Sequence, residues 1–129
     1  MREILFRGKR IDDGEWVEGA YFPQNDTYPT TIFERHCAGY FVRSETVGQY
    51  TGLKDKNGKR IFEGDIVKAQ DDLIFSPFCD GLVGKVVYIE TAFFIEPKDP
   101  AKSEYLFNEC AVYEVLGNIH DNGELMEDA

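Results

Sequence analysis

The strongest constraint on the fold is the spacing of the apolar residues, which occur in short runs separated by turn-forming residues. β-Branched and aromatic residues dominate these runs, as in VGKVVYIE at residues 83–90 and AVYEVLGNI at residues 111–119, and such runs are typical of strands. No long segment has the 3.6-residue period of an amphipathic helix. We therefore predict a mainly β protein, either a small curled sheet or a partly open barrel, of which an SH3-like barrel is one form.

The two ends of the chain have the clearest local signals. EILFR at residues 3–7 and WVEGAYF at residues 16–22 flank an Asp-Asp-Gly turn, which predicts an N-terminal β-hairpin. DNGELMED at residues 121–128 predicts one short C-terminal helical turn. Further strands are predicted in residues 30–35, 39–43, 50–54, 59–64, 64–69 and 92–96, and residues 70–81 are predicted to form a long connection. The runs at residues 83–90 and 92–96 are separated only by Thr91, which predicts a second hairpin.

Length and composition predict one globular domain over residues 1–129. The chain is 43% hydrophobic and 14% aromatic, which is enough apolar surface for a core of its own. Charges at Glu3, Arg7 and Lys9 interrupt the N-terminal segment, so no signal-peptide hydrophobic region is expected. No apolar run approaches the roughly 20 residues that span a bilayer. We therefore expect no membrane association and a location in the cytoplasm.

The cysteines and histidines do not form a recognisable metal or disulfide pattern. Cys37, Cys79 and Cys110 are widely separated and contain no C-x-x-C pair, so reduced thiols are expected. His36 is adjacent to Cys37, but neighbouring residues on an extended chain point to opposite faces, so the two are not expected to act as nucleophile and base. His120 is the other histidine. We expect no metal and no cofactor.

The central segment VGQYTGLKDKNGKRIFEGDIVK, residues 47–68, has four glycines and several lysines, so it must be compared with phosphate and metal loops. A P-loop has four residues between its glycines and a hydroxyl residue after Gly-Lys. Here five residues separate Gly52 from Gly58, and Arg60 occupies the hydroxyl position. A calcium loop would need a bidentate Glu where Gly64 stands. Neither a P-loop nor a calcium loop fits this segment, so a turn is the remaining interpretation.

The turn is predicted at Asn57-Gly58, the pair that most readily takes positive φ at both centres of a type I′ hairpin turn. The flanking runs YTGLK and KRIFEG can pair as strands. The lysines would then lie at the tip of a hairpin, where charges remain in water without penalty. For this segment we favour the interpretation of a solvated hairpin tip over that of a binding site.

The Glu63-Gly64-Asp65 sequence has two interpretations. If Glu63 and Asp65 lie two apart on a strand, they share one face, and paired carboxylates can share a proton or a metal. The structural alternative, which we favour, is that Gly64 allows a sharp turn and Asp65 accepts backbone N–H groups within it. No set of nucleophile, base and orienting residue can be assembled around them, so we expect that the protein is not an enzyme and has no catalytic residues. A carboxylate enzyme centred on Glu63 and Asp65 remains an alternative.

The chain resembles the YopX family of phage and prophage proteins. Residues 46–68 follow that family's GQxTGLxDKxGxxIxEGDIV block, residues 114–127 follow its terminal EVIGNIxxNPELL block, and residues 2–10 with 14–19 resemble its N-terminal hairpin. These blocks are highly specific.

The resemblance implies a phage-derived, mainly β, oligomeric protein whose biochemical role is not established, and it transfers no catalytic residue. The unmatched, variable parts are Phe22 to Glu45 and Asp71 to Gly81. We expect a single YopX-like domain that works as a non-catalytic phage or prophage accessory protein through protein contacts.

Charge limits the partners. A net charge of -10 opposes general binding to nucleic acid, because phosphate contacts supply most non-specific affinity. The segment from Leu53 to Arg60 has four basic residues and one acidic residue, a net charge of +3, so the rest of the chain carries -13. A nucleic-acid-binding module that uses the basic hairpin from Lys54 to Arg60 is therefore an alternative, and binding to random-sequence DNA is predicted to be no tighter than about 10 μM.

The charge asymmetry also predicts self-association. A basic tip placed against the acidic tail of a neighbouring copy would relieve repulsion and repeat around a closed ring. An unidentified phage or host protein is the other expected partner. The residues predicted to make the contact are Lys54, Lys56, Lys59 and Arg60 for charge, and Leu53, Phe62, Leu125 and Met126 for its apolar core.

Overall fold

The computed structural model describes residues 4–34, 38–71, 82–106 and 111–127. The chain divides into two compact units, Met1–Gly52 and Leu53–Ala129, called here the first and the second unit. This division does not decide whether residues 1–129 behave as one domain, which stays a prediction. His36, the three cysteines and most of the predicted connection at residues 70–81 lie outside the described residues.

The described residues are mainly strands, as predicted. The elements are β1 (Phe6–Lys9), β2 (Trp16–Phe22), β3 (Thr31–Phe33), β4 (Gly39–Phe41), β5 (Gly48–Lys54), β6 (Arg60–Phe62), β7 (Asp65–Asp71), β8 (Leu82–Ile89), β9 (Ala92–Glu96), β10 (Glu104–Tyr105), β11 (Ala111–Asn118) and the helical turn α1 (Glu124–Glu127), with 3₁₀ turns at Ser44–Thr46 and Pro100–Lys102.

In the first unit the strands follow the order β4-β3-β2-β1-β5. The predicted N-terminal hairpin is confirmed, because β1 pairs antiparallel with β2 and Arg7 lies opposite Glu18. Its turn is closed by the Arg10 N–H, which donates to the Glu15 carbonyl at 2.8 Å, and Gly14 has a φ of 75°. Positive φ at this position suits glycine, so the Asp-Asp-Gly sequence explains the turn.

The core of the first unit lies on one face of this sheet. Ile32 of β3 is fully buried, and Gly8 of β1 packs so tightly that a Cβ atom there would lie 2.9 Å from a methyl group of Val42. The buried residues of its hydrophobic cluster are Val17, Ile32 and Val42, against which Phe6, Tyr40 and Val47 pack.

In the second unit the main sheet has the order β10-β9-β8-β7-β11. The last residues of β5, Leu53 and Lys54, also belong to this unit, and β6 follows β5 in the strand order of its sheet. The core consists of Ile61, Val67, Ala69, Val86, Ile95, Leu106 and Tyr113. Adjacent residues of β7, such as Ile66 and Val67, are both fully buried, so this strand is covered on both faces.

The two hairpin turns of the second unit differ from what their sequences suggest. The predicted hairpin of β8 and β9 is confirmed, and its two turn residues, Glu90 and Thr91, have φ values of 48° and 72°, as a type I′ turn requires. The predicted type I′ turn at Asn57-Gly58 is wrong, because Gly58 has a φ of 82° but Asn57 is not among the residues with positive φ.

The observed turn between β5 and β6 is a three-residue loop. The Asp55 N–H donates to the Lys59 carbonyl at 2.8 Å, and the Gly58 N–H donates to the Asp55 carbonyl at 3.0 Å. This is a type I turn followed by a glycine in the left-handed conformation. The Asp55 side chain favours this loop over the type I′ turn, because its carboxylate accepts from the Asn57 and Lys59 N–H groups within the loop and from the Val115 N–H on β11.

The described strands form two open antiparallel sheets that do not close into a barrel. The prediction of a mainly β fold with an N-terminal hairpin is confirmed, and so is the short C-terminal helical turn, which is α1.

Candidate functional site

The basic tip, residues Lys54–Arg60, lies along the outer edge of β11. The Lys56 N–H donates to the Tyr113 carbonyl at 2.8 Å, and the Val115 N–H donates to Asp55 Oδ2 at 3.0 Å. β11 is the last strand of its sheet, so backbone groups on its outer side would otherwise be open to pairing with another chain. The tip therefore covers part of this edge, which is a structural role for the segment.

Asp55 holds the tip in place. Its Oδ1 accepts hydrogen bonds from the N–H groups of Asn57 and Lys59, both at 2.9 Å, while Oδ2 accepts from β11. The residue is 7% exposed. Burial raises the pKa of the Asp55 carboxyl, but three backbone N–H groups, that of Val115 first among them, lower it, and the net direction is below its ordinary value. The carboxylate is thus held ionised by the backbone.

The prediction of a solvated tip did not include this role for Asp55, which entered it as the one negative charge within a basic segment. A local signal exists, because Asp two residues before an exposed turn position commonly accepts backbone N–H groups as an Asx turn. The contact with Val115 has no local signal, since the two residues are 60 positions apart.

The four basic residues of the tip have different surroundings. Lys56 Nζ lies 3.1 Å from Glu114 Oε2, and the side chains of Lys56 and Glu114 are 43% and 37% exposed. Such an exposed ion pair contributes about 0 to 1 kcal/mol. Lys54, Lys59 and Arg60 are exposed. The prediction of a solvated tip therefore holds for these exposed side chains. It does not hold for the backbone of the tip, which is hydrogen-bonded to β11.

Of the apolar residues predicted to form a contact core, Phe62 is unsuitable. It is 2% exposed, so it is already packed within its own chain and cannot contact a neighbour. Leu53 is half-buried and packs against the core of the second unit. Leu125 and Met126 are half-buried in α1, which lies near β8. These three could contribute only the exposed part of their side chains.

The Glu63-Gly64-Asp65 sequence forms the turn between β6 and β7. β7 begins at Asp65, so Glu63 precedes this strand and does not lie on it. The two carboxylates therefore do not share a strand face. The carboxylate-enzyme alternative assumed a shared face, and that assumption is wrong. Asp65 is 1% exposed, and its Oδ2 accepts from the Phe62 N–H at 2.8 Å. Gly64 has a φ of 93°. Within the described residues, no group of three or more His, Cys, Asp or Glu side chains could hold a metal ion.

The terminal GNIHDN segment is also a hydrogen-bonded turn. Asn118 Oδ1 accepts from the N–H groups of His120 at 2.9 Å and Asp121 at 2.8 Å. A Cβ atom on Gly117 would lie 2.5 Å from Asn122 Oδ1, so a side chain there would displace the asparagine. The motifs that carry the family resemblance in this unit therefore specify turns and strand edges.

A second candidate site lies in the first unit, on the face of β2, β3 and β4 opposite the core. In the strand register Phe22 lies beside Thr31, which lies beside Phe41. The next row places Phe33 beside Gly39. Phe22, Phe33 and Phe41 are 52%, 40% and 50% exposed. Antiparallel sheets with one buried face usually present polar residues on the other, so three exposed phenylalanines are unusual.

The loop between β2 and β3 adds Tyr28, which is 60% exposed. Phe22, Tyr28, Phe33 and Phe41 are called here the aromatic face. They line a groove of about 350 Å³. Phe22 and Phe33 meet edge to face at 5.1 Å, and a Cβ atom on Gly39 would lie 2.7 Å from the Phe33 ring. The other lining residues are Pro23, Asn25, Pro29, Thr31 and Gly39.

The aromatic face was not predicted from the sequence, although the sequence contains a signal for it. Ile32-Phe33 and Tyr40-Phe41 are adjacent apolar pairs within short predicted strands, and adjacent residues of a strand point to opposite faces. Both faces of these strands must therefore carry apolar side chains. All four residues of the aromatic face lie in the segment from Phe22 to Glu45, which the family motifs left unmatched.

The described residues thus define a small all-β protein of two open antiparallel sheets, with structural carboxylates at its turns. The chain belongs to the YopX family, since the model of that family, described as YopX protein, matches residues 5–127. Among solved structures, the crystal structure of protein EF1440 from Enterococcus faecalis is similar, at 25% sequence identity and a TM-score of 0.53, over 98% of this chain and 99% of that chain.

A search of curated proteins finds no match. In the described part of the chain, no helix is long and apolar enough to cross a membrane.

Proposed function

We propose that this protein is a non-catalytic interaction module that holds another polypeptide on the aromatic face, as a phage or prophage accessory protein in the cytoplasm of the host. The observation that carries the proposal is the exposure of Phe22, Tyr28, Phe33 and Phe41 around one groove. Contiguous exposed apolar surface of this kind is typical of interaction sites. Aromatic residues are also enriched among the residues that dominate binding energy.

The surroundings of the carboxylates support a non-catalytic role. Asp55 and Asp65, the buried acids among the described residues of the second unit, both accept hydrogen bonds from the backbone of their own turns. Both side chains therefore have a structural use that accounts for their burial. The proposal needs no catalytic group, metal or cofactor.

Selection from a random displayed peptide library tests the proposal. We expect the wild-type protein to enrich peptides that the double variant F33S/F41S does not retain. Tyr88→Ser is the matched control, because Tyr88 is 49% exposed but lies on β8 of the second unit. Failure to enrich any peptide, or equal retention by the double variant, would reject the aromatic face as the contact surface.

Self-association through the basic tip is a second proposal, supported by the asymmetry between the +3 tip and the rest of the chain at -13. Because Phe62 is buried, the remaining residues for the contact are Lys54, Lys59 and Arg60, with the exposed parts of Leu53, Leu125 and Met126. Lys56 is best left unchanged, since its reversal would set two negative charges together at Glu114.

Analytical ultracentrifugation of the wild type and of K54E/K59E at low and high salt tests this proposal. We expect the wild type to be an oligomer and the variant to be weakened more at low salt, where charges are less screened. A wild type that is monomeric at both salt concentrations would rule out self-association.

Nucleic-acid binding by the tip stays the weaker alternative. A salt-dependent gel shift with random-sequence DNA that gives a dissociation constant below about 10 μM would favour it.

A further inference from the structure

We infer that the partner segment held by the aromatic face is proline-rich and binds in the polyproline II conformation. This inference rests on the proposed function, because it names the chemistry of the polypeptide that the groove holds. It follows from three properties of the groove: its area, its lack of charge and the hydrogen-bond donors on its lining.

The exposed aromatic area is small for contact between two copies of the chain. An aromatic side chain has about 150–250 Å² to bury, and the four residues of the aromatic face are 40% to 60% exposed. They therefore offer roughly 400 Å² in each copy, or about 800 Å² for two faces packed together, below the roughly 1,200 Å² at which stable interfaces begin. A short peptide laid across the face needs no larger area.

The groove selects an uncharged segment. None of the described residues that line it is charged, although charged residues make up 29% of the chain. A Lys, Arg, Asp or Glu side chain placed between Phe33 and Phe41 would lose water without gaining an ionic partner. Proline side chains are apolar, and aromatic-lined grooves are the usual receptors for proline-rich segments.

The lining also offers hydrogen-bond donors to the ligand backbone. Asn25 Oδ1 accepts from the N–H groups of Thr27 and Tyr28, both at 2.8 Å, which leaves the amide NH₂ group on the other side of the side chain. The Tyr28 hydroxyl is a second donor on the lining. A polyproline II segment has no internal hydrogen bonds, so its carbonyl groups need donors of this kind. An added β-strand would instead need a row of backbone groups, which side chains do not supply.

Fluorescence polarisation with labelled decaproline tests the inference, with a labelled (Gly-Ser)₅ peptide as the control. We expect saturable binding of decaproline to the wild type and no saturation with the control. Phe41→Ser should weaken decaproline binding by about tenfold, as truncation of an aromatic anchor does. Tyr28→Phe removes only the hydroxyl and should weaken binding by a smaller factor, about threefold. Phe22→Ser provides a second truncation if one variant fails to fold.

Tyr88→Ser should bind decaproline as the wild type does. Absence of saturation up to about 1 mM decaproline, or unchanged binding by both Phe41→Ser and Phe22→Ser, would overturn the inference. The library selection separates this failure from that of the proposed function. Enriched peptides that depend on Phe33 and Phe41 but lack proline would refute the polyproline ligand and leave the interaction module standing, whereas no enrichment would refute both.

Discussion

The first unit leaves aromatic side chains in solvent on the outer face of β2–β4, whereas the second unit covers the outer edge of β11 with its own hairpin tip. In the second unit Asp55 and Lys56 satisfy backbone groups of the edge strand. In the first unit Phe22, Phe33 and Phe41 remain about half exposed around a groove. One unit therefore closes a surface on which chains could associate, and the other presents one.

The difference separates the residues that identify the family from the residues that we propose to act. The DKNG and EGD sequences and the GN pair of the second unit lie at turns whose side chains accept backbone N–H groups. The aromatic face lies in the segment from Phe22 to Glu45, outside those motifs. Motifs of this kind are informative about fold, while a binding surface can lie in the less recognisable part of the chain.

The largest effect is expected from Asp55→Ala, which removes the acceptor for three backbone N–H groups. Bonds to a charged acceptor are individually stronger than neutral ones, and three partly buried bonds would be lost together, so the free energy of unfolding should fall by about 3 kcal/mol. Urea unfolding followed by circular dichroism measures it. A loss below about 1 kcal/mol would mean that the tip does not depend on this carboxylate.

Lys56→Ala is the matched control for Asp55→Ala. It removes the exposed ion pair with Glu114 but keeps the backbone bond to Tyr113, so it should change stability by no more than about 1 kcal/mol.

Fluorescence of Trp16, the single tryptophan, reports on the unfolding of the first unit in the same urea experiment. If residues 1–129 form one cooperative domain, Asp55→Ala should shift the fluorescence and circular dichroism midpoints together.

A smaller effect is expected at the turn between β6 and β7. Gly64 has a φ of 93°, which a β-branched residue adopts only with strain, so Gly64→Val should reduce stability by about 2–3 kcal/mol. Asp65→Asn keeps an oxygen for the Phe62 N–H and should reduce stability by about 1 kcal/mol. The two are compared in urea melts, and the reverse order would contradict the structural role given to this turn.

Low pH should destabilise the second unit through Asp55. Its pKa in the folded chain is below the ordinary value of 3.8, so the unfolded state binds its proton first as pH falls. The stabilisation from this group is therefore complete above pH 3.8 and is lost as pH falls below 3.8 through the lower, folded pKa. Urea unfolding of wild type and Asp55→Asn between pH 6 and pH 2 measures it. Equal dependence in both proteins would exclude Asp55 as a contributor.

The smallest effect on stability is expected from the aromatic face. Phe41 is 50% exposed, so Phe41→Ser should reduce the free energy of unfolding by no more than about 1 kcal/mol. Ile32→Ala, on the buried face of the adjacent strand, should reduce it by about 3 kcal/mol. Thermal melts of the two variants decide it. A loss from Phe41→Ser as large as that from Ile32→Ala would show that the aromatic face is needed for folding.

The sequence by itself determined most of the strands and most of the chain reversals, because these depend on alternation and on residues close together. It did not predict β10, and it assigned Gln70 and Asp71, the end of β7, to a connection. The hairpin of β1 and β2 follows from EILFR, Asp-Asp-Gly and WVEGAYF, and the hairpin of β8 and β9 follows from two β-branched and aromatic runs. Its Glu90-Thr91 turn lacks glycine and asparagine, so the pairing of the strands, more than the turn residues, specifies it. The family was also recognisable from the motifs, which cover both ends and the middle of the chain.

Only the tertiary structure decided what the tip and the apolar side chains do. Asp55 accepts from the Val115 N–H across 60 residues, and no local sequence pattern predicts such a pairing. The turn predicted as type I′ is a three-residue loop that this contact holds to β11. In the same way the sequence placed Phe62 and Phe41 in strands without distinguishing them. Packing buries Phe62 in a core and leaves Phe41 on an open sheet face, because burial depends on which elements cover a strand and not on the strand's own residues.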